Sequence, residues 1–243
     1  MSQPSVLLEL KDVHTLIGAY HILHGVNLQV PRGELTLLLG RNGAGKTTTL
    51  RTIMGLWQAS QGQVHFMGRD ITGMATPDIA SLNIAYIPEN MGIFSDLTVE
   101  ENMLLAARNS TRATQIDADR LTWIYAMFPA VEKFWHHPAG KLSGGQKQML
   151  AVARAMVEPR DLLIVDEPSK GLAPAIVQNM IDAFKKMKAS GVTILLVEQN
   201  IHFAQQLGDS VAVMDNGRVI HAGSMAALSA DPALQKSLLG LAL

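Results

Sequence analysis

Two hydrophobic periods alternate along this 243-residue chain. Near the N-terminus, VLLEL (6–10), VNLQV (26–30) and VHF (64–66) are short β-prone segments broken by turn residues, the pattern of a small antiparallel sheet. Four other segments are continuous apolar runs: LTLLLG (35–40), IAYIP (84–88), LLIVD (162–166) and TILLVE (193–198). Each leads into a polar or glycine-rich turn and then into helical spacing. Strands of a parallel sheet covered on both faces read this way, and such sheets collect ligands at their carboxyl ends. From about residue 92 to 140 there is no good strand, while EENMLLAAR (100–108) and DRLTWIYAMF (119–128) have helical spacing, which predicts a helical insertion. DLTVEEN opens it with a capping box, Thr98 capping and Glu101 three residues on. VAVMDNGRVIHAG (211–223) reads as a hairpin around Asn216-Gly217, a pair suited to a type I′ turn, and SADPALQKSLLGLAL (229–243) as a closing helix.

Composition mainly excludes. With 48% hydrophobic and 17% charged residues the chain is that of an ordinary globular protein. It has no cysteine, so disulfides and thiolate-bound zinc or iron are ruled out. A formal net charge of -1 lacks the basic field that nucleic-acid binding needs, so no nucleic-acid partner is expected. No apolar run approaches the roughly 18 to 20 residues that cross a bilayer, and the polar MSQPS start is unlike a signal peptide. Any membrane role is therefore expected to run through another chain. The eight histidines show no ligand-like spacing and read as surface residues; the three tryptophans and thirteen methionines read as packing.

The chemistry starts where the first buried strand ends. GRNGAGKT (40–47) fits the phosphate-binding loop G-x-x-x-x-G-K-[ST] and leads into TTTLRTIMGL, which can form a helix. The glycines let backbone N–H groups converge on phosphate oxygens, and the helix N-terminus adds a favourable dipole. Lys46 reaches the β and γ phosphates, and the Thr47 hydroxyl can ligate magnesium. Gly40, Asn42, Gly43, Ala44, Gly45, Lys46, Thr47 and Thr48 are the expected phosphate-binding residues.

A second strand end agrees. LLIVDE (162–167) exposes two adjacent acids that point to opposite sides if the chain stays extended. Asp166 can then hold magnesium while Glu167 faces the position from which water attacks the γ phosphate. In isolation such a pair would as readily end a strand at a solvated turn. Beside a phosphate loop it reads as catalytic.

KLSGGQKQML (141–150) puts two glycines where a helix should begin, although glycine inside a helix costs about 1 kcal/mol relative to alanine. If Ser143 caps the helix, Gly144 and Gly145 leave the first-turn N–H groups open to an anion. The alternative is a helix start packed closely against a neighbour. With LSGGQ (142–146) upstream of LLIVDE, the chain resembles the nucleotide-binding subunits of ATP-binding-cassette (ABC) transporters over essentially its whole length. The resemblance implies an α/β fold: a P-loop NTPase core with a mainly parallel sheet, an N-terminal antiparallel β subdomain and a helical subdomain inserted at about 92–143, all in one domain spanning 1–243. It implies that two subunits sandwich two ATP molecules with Mg2+. Each nucleotide then meets the partner's signature, here Ser143, Gly144, Gly145 and Gln146. SKGLAP (169–174) resembles the segment that joins the two sites.

Three departures from the family pattern are informative. The aromatic residue that usually stacks on adenine is replaced by Ile17, with Tyr20 three residues on; Ile17 is the expected adenine contact. The glutamine usually found after IAYIP is Glu89, expected near magnesium, and the surface from Glu89 to Asp96 is expected to touch the membrane subunit. The usual γ-phosphate histidine is Gln199 in LLVEQN. Together with PSKGLAP these resemble branched-chain amino acid importer ATPases, specifically the one of their two ATPases that carries glutamine, with urea and short-chain amide importers as close relatives.

The function expected is ATP hydrolysis, with Glu167, Gln199 and Lys46 catalytic and Thr47, Glu89 and Asp166 at the metal. The expected partners are permease subunits, an identical or different second ATPase subunit and, indirectly, a substrate-binding protein, which places the chain peripherally on the cytoplasmic face of the membrane. A soluble cassette for iron–sulfur assembly and a noncatalytic nucleotide-binding module are the competing readings; retained Glu167 argues against the second. An amide cannot take up a proton near neutral pH. Hydrolysis is therefore expected to show no limb near pH 6 to 7 assignable to position 199. A pH–rate profile of the wild type and a Gln199→Ala variant checks this, and a limb abolished by the substitution would refute it.

Overall fold

The computed structural model describes residues 5–107 and 116–240. Arg108 of the EENMLLAAR segment and the last three residues of the expected closing helix lie outside them. The chain opens with β1 (Val6–Ile17) and β2 (Tyr20–Pro31), paired antiparallel from Val6↔Pro31 to Ile17↔Tyr20. After β3 (Leu35–Gly40) and α1 (Lys46–Ile53), β4 (Ala59–Phe66) returns to pair antiparallel with β1, and the short β5 (Arg69–Asp70) completes a sheet of order β2-β1-β4-β5. The apolar segments that predicted these strands are only parts of them. Asp12 (φ 47°) and Gly25 (φ 83°) interrupt the ladder with register shifts, so inside–outside alternation breaks and the second half of each strand does not read as one.

The second sheet has the order β10-β9-β3-β8-β7-β6 and is built from β3, β6 (Ile84–Ile87), β7 (Leu162–Asp166), β8 (Thr193–Glu198), β9 (Ser210–Asp215) and β10 (Arg218–Ser224). The five neighbouring strands from β9 to β6 run parallel, and β10 closes the edge antiparallel. β3, β7 and β8 are buried at every position, as their unbroken apolar runs require. Successive side chains alternate between two cores. Leu38, Ile164, Leu195 and Val197 face α1 and the N-terminal sheet, while Leu37, Leu39, Leu163, Val165 and Leu196 face the helical side.

Helices α2 (Thr76–Ser81), α3 (Val99–Leu104), α4 (Ala118–Met127), α5 (Pro129–Lys133) and α6 (Gly144–Ala155) occupy the middle of the chain. Among the described residues no named strand falls between 92 and 140, as expected. Thr98 and Glu101 form the expected capping box. The buried Asn102 amide donates to Phe94 O and Thr98 O and accepts from Phe94 N, which ties the preceding loop to α3. α7 (Pro174–Ala189) and α8 (Ile201–Leu207) cover the sheet. The expected closing helix is α10 (Pro232–Leu239), and a separate α9 (Met225–Ala230), which takes up Ser229 and Ala230, precedes it. Asp231 separates them, capping Leu234 N, and Pro232 has no N–H with which to continue α9. None of the histidines brought together by β1 and β2 is buried, in line with the surface reading, and three of them cluster. His14 Nδ1 lies 3.1 Å from His21 Nε2, and the His21 and His24 ring centroids are 4.1 Å apart.

The β9–β10 turn has positive φ at Asn216 and Gly217, as a type I′ turn requires. It also joins the layers: Gly217 N donates to Ala44 O (3.0 Å), and His24 N donates to Gly217 O (2.9 Å). A Cβ at Gly217 would lie 2.1 Å from Ile22 O, whereas one at Gly18, also at positive φ, would meet nothing within 4 Å. Gly217→Ala is expected to destabilise the fold by roughly 2 kcal/mol or more and Gly18→Ala by about 1 kcal/mol. Urea unfolding of both variants measures the difference.

Candidate active site

Four neighbouring parallel strands end side by side in the order β3, β8, β7, β6, and the turn after each supplies polar side chains. After β3 the chain wraps as residues 40–45, with Gly43 and Gly45 at φ 81° and 101°, and enters α1 with Gly45 at its N-cap. The first-turn N–H groups of α1 therefore have no partner within the helix and lie at the end of β3. A Cβ on Gly40 would lie 2.4 Å from Met214 O, so the loop can pass close to β9 only with glycine there. Ala44 is buried. Thr48 lies in the first turn of α1, where its carbonyl accepts from Thr52 Oγ1.

Lys46 is 5% exposed; its Nζ donates to Gly40 O (2.9 Å) and Arg41 O (3.0 Å) and stands 3.6 Å from Glu167 Oε1. The ammonium is thereby stretched across the mouth of the loop. Thr47 Oγ1 donates to Asp166 Oδ1 at 3.1 Å, which joins the β3 and β7 ends, and the Tyr86 hydroxyl lies 3.5 Å from Asp166 Oδ2. Burial pushes the Asp166 carboxyl above its ordinary range; Glu167 and Glu89 push the same way, against the Thr47 hydrogen bond. Burial beside Asp166 likewise raises the Tyr86 phenol to about 12. A buried carboxylate and a hydroxyl, both oxygen donors and short of positive charge, fit a hard divalent cation. Among the described residues no group of three or more His, Cys, Asp and Glu has metal-holding geometry, so nucleotide phosphates would have to supply further oxygens.

The two acids do not point to opposite sides of an extended chain. β7 stops at Asp166, and Glu167 takes φ 48° with its N–H bonded to Val197 O. This left-handed turn swings Glu167 toward the phosphate loop, where Gln199 Nε2 donates both to Glu167 Oε1 (2.5 Å) and to Asn42 Oδ1 (2.7 Å). The amide therefore links the turns after β3, β7 and β8. Glu89 stands farther out, accepting from Lys170 Nζ at 2.6 Å.

One residue of this cluster escaped the sequence reading. Glu198, 2% exposed, accepts from the backbone N–H groups of Ser169 (2.9 Å), Gln199 (3.0 Å) and Asn200 (3.2 Å). Burial raises its carboxyl, opposed by these bonds. It clamps the turn after β7 to the turn after β8. The available signal was a charged residue closing an otherwise apolar strand, TILLVE.

The signature segment belongs to the helical side. Ser143 caps α6 and Gln146 completes a capping box: Gln146 N donates to Ser143 Oγ, and Ser143 N to Gln146 Oε1. The two glycines serve different ends. A Cβ on Gly144 would meet nothing within 4 Å, whereas one on Gly145 would lie 2.7 Å from Ile176 Cγ2. Gly145 answers to close packing and Gly144 leaves an open, exposed helix start. Ile17 and Tyr20 face each other as the last pair of the β1–β2 hairpin; Ile17 is partly buried and Tyr20 is 75% exposed.

Residues 23–170 match the family profile described as ABC transporter. The chain is 37% identical to the high-affinity branched-chain amino acid transport ATP-binding protein BraG of Pseudomonas aeruginosa, over 96% of this chain and all of that one. It is 35% identical to the probable branched-chain amino acid transport ATP-binding protein LivF of Archaeoglobus fulgidus, over 91% and 93% of the two chains. Its fold is similar to a dimeric post-hydrolysis state of an ATP-binding cassette bound to ADP and Pi, with TM-score 0.78, 24% identity and coverage of 90% and 99%.

Substituting Glu198 by Gln turns an NH2 group toward backbone donors. This is expected to cost about 2 to 3 kcal/mol of stability and to loosen Gln199 and Ser169 together. Thermal unfolding measures the first effect, and amide exchange at residues 167–170 and 198–200 measures the second.

Proposed function

Since this chain belongs to the ABC transporter family and is an ATPase of transport, we propose that it energises an importer of branched-chain amino acids from the cytoplasmic face of the membrane. The observation that carries the ATPase chemistry is the convergence of Lys46, Thr47–Asp166 and Glu167–Gln199 on adjacent strand ends. The substrate class rests on the names of the relatives BraG and LivF.

In this reading the N–H groups of residues 42–48 and the Lys46 ammonium hold the triphosphate, with Ile17 against adenine. Thr47 and Asp166 would hold Mg2+, with Glu89 at the edge of that site, and the ion would supply neutralisation of phosphate charge. Glu167 orients a water and accepts its proton as the γ phosphate is attacked. Gln199 donates from its amide, so it can hold Glu167 and contact the γ phosphate without itself titrating. Ser143, Gly144 and the first-turn N–H groups of α6 contact the nucleotide of a second ATPase subunit, an arrangement supported by the dimeric cassette of the same fold.

Among the described residues no helix is long and apolar enough to cross a membrane, so coupling requires a permease. A cleft of about 700 Å³ suits that contact: it is lined by Leu56, Trp57, Tyr86, Asn90, Met91 and Leu105, among others. Phe94 is 53% and Leu105 60% exposed, and large apolar side chains gathered at one rim mark a protein contact. Arg154 at the end of α6 donates to Gly92 O (2.7 Å) and Met91 O (3.3 Å), which ties the signature helix to this rim.

Glu167→Gln should cut phosphate release by about 100-fold or more while ATP still binds, and should trap the sandwich. Light scattering with and without Mg-ATP is expected to show the mass of two chains only with nucleotide. Wild-type phosphate release by Glu167→Gln would overturn its assigned role. A single-chain mass with ATP bound would exclude the homodimer and leave pairing with a different ATPase subunit.

A further inference from the structure

Lys170 has no part in the scheme above, yet it bridges two strand ends of the site. It sits in the turn after β7; its Nζ donates to Glu89 Oε1 at 2.6 Å and stands 3.6 Å from Glu167 Oε2. Glu89 arrives from the neighbouring strand, two residues past the end of β6. One ammonium thus touches both the loop that leads to the permease-facing rim and the carboxylate assigned to the attacking water. The other oxygen of Glu167 is already occupied, accepting from Gln199 and facing Lys46. Lys170 is the group at its Oε2 edge.

The side chains of Lys170 and Glu89 are 58% and 48% exposed, and exposed ion pairs contribute little to folding. Stability is therefore a weak account of the bridge. Charge and placement are better ones. Glu89, Asp166 and Glu167 crowd three carboxylates at the ends of β6 and β7, and Glu89 stands where the family pattern has a neutral amide. Without a counter-charge the Glu89 and Glu167 carboxylates, both at the Lys170 ammonium, would repel each other. Held by Lys170, Glu89 is neutralised and kept at the outer edge.

We infer that Lys170 is a positioning residue for hydrolysis: it neutralises Glu89 and fixes the Oε2 edge of Glu167, so that the loop after β6 and the hydrolytic carboxylate are held in one arrangement. The inference rests on the role proposed for Glu167. It also gives the permease a direct route to the reaction, since a pull on residues 88–92 reaches Glu167 through a single side chain. A small misplacement of a reacting group is enough to slow a reaction severalfold.

Steady-state ATP hydrolysis and amide exchange of the nucleotide-free full chain test this in Lys170→Met, Lys170→Arg, Glu89→Gln and the Glu89→Gln/Lys170→Met double variant. Lys170→Met is expected to lower kcat about fivefold with KM for ATP within about twofold, and to speed exchange across residues 88–92 without moving the thermal midpoint. Lys170→Arg should keep wild-type behaviour. The double variant should be no slower than Lys170→Met, because the two residues act as one unit. Wild-type kcat in Lys170→Met, unchanged exchange at 88–92, or additive losses in the double variant would each overturn the inference. The Glu167→Gln control separates the two assignments. If it hydrolyses ATP normally, the role of Glu167 falls; if it is inactive while Lys170→Met is normal, only the role of Lys170 falls.

Discussion

The parallel ladder that sets β3, β8, β7 and β6 side by side is the constraint on which everything else in this molecule depends. Its register pairs Leu39 with Glu198, Asp166 with Val197, and Val165 with Ile87. The four strands therefore stop at nearly one level, and their turns form a single row. Neighbouring strands lie about 4.8 Å apart, so side chains from adjacent turns meet directly. Thr47 reaches Asp166 from two strands away, and Gln199 from the intervening strand touches both Asn42 and Glu167. A one-residue slip of β8 would exchange the two cores and send Glu198 to the other face. The all-apolar strands secure the register because both of their faces are buried.

Much of this was legible in the sequence wherever the signal is local. The glycine-rich turn at residues 40–45, the capping box at Thr98, the cap at Ser143 and the Asn216-Gly217 turn each draw their geometry from a few contiguous residues, and each was found where expected, Gln146 adding the second half of a box at Ser143. Features set by long-range contact were not. The alternation of β1 and β2 breaks at Asp12 and Gly25, which hides half of each strand. Glu167 turns left-handed because its N–H is captured by Val197 O on β8, which residues 162–167 alone could not reveal. Glu198 and Lys170 stood in quoted motifs and carried no expected role, since their partners lie 29 and 81 positions away in the chain. The two signature glycines look alike in sequence and differ only because Ile176 of α7 lies against one of them.

Charge is arranged with the same economy of distance. Glu89, Asp166 and Glu167 are matched by Lys46 and Lys170, with Arg51 also acting on Asp166. Lys46 and Arg51 come from α1 and Lys170 from the turn after β7, so the pairing doubles as cross-bracing between these segments. At Asp166 burial and the neighbouring acids push the carboxyl up against the Thr47 hydrogen bond, and three carboxylates stand there against two ammonium groups. That is the electrostatic counterpart of a site built to receive a cation together with a polyanion.

The tie between Arg154 and the carbonyls of Met91 and Gly92 has a mechanical side. α6 is one uninterrupted helix of 12 residues, about 18 Å long at 1.5 Å per residue. One end carries the exposed cap of Ser143 and Gly144; the other grips the rim beside the 700 Å³ cleft. A helix resists stretching, so it acts as a rod. Whatever tilts the rim by a few degrees must swing the signature end through an arc, with no hinge between to absorb it. In the reverse direction, on the role proposed for Ser143, the same rod would carry a force from that end to whatever fills the cleft.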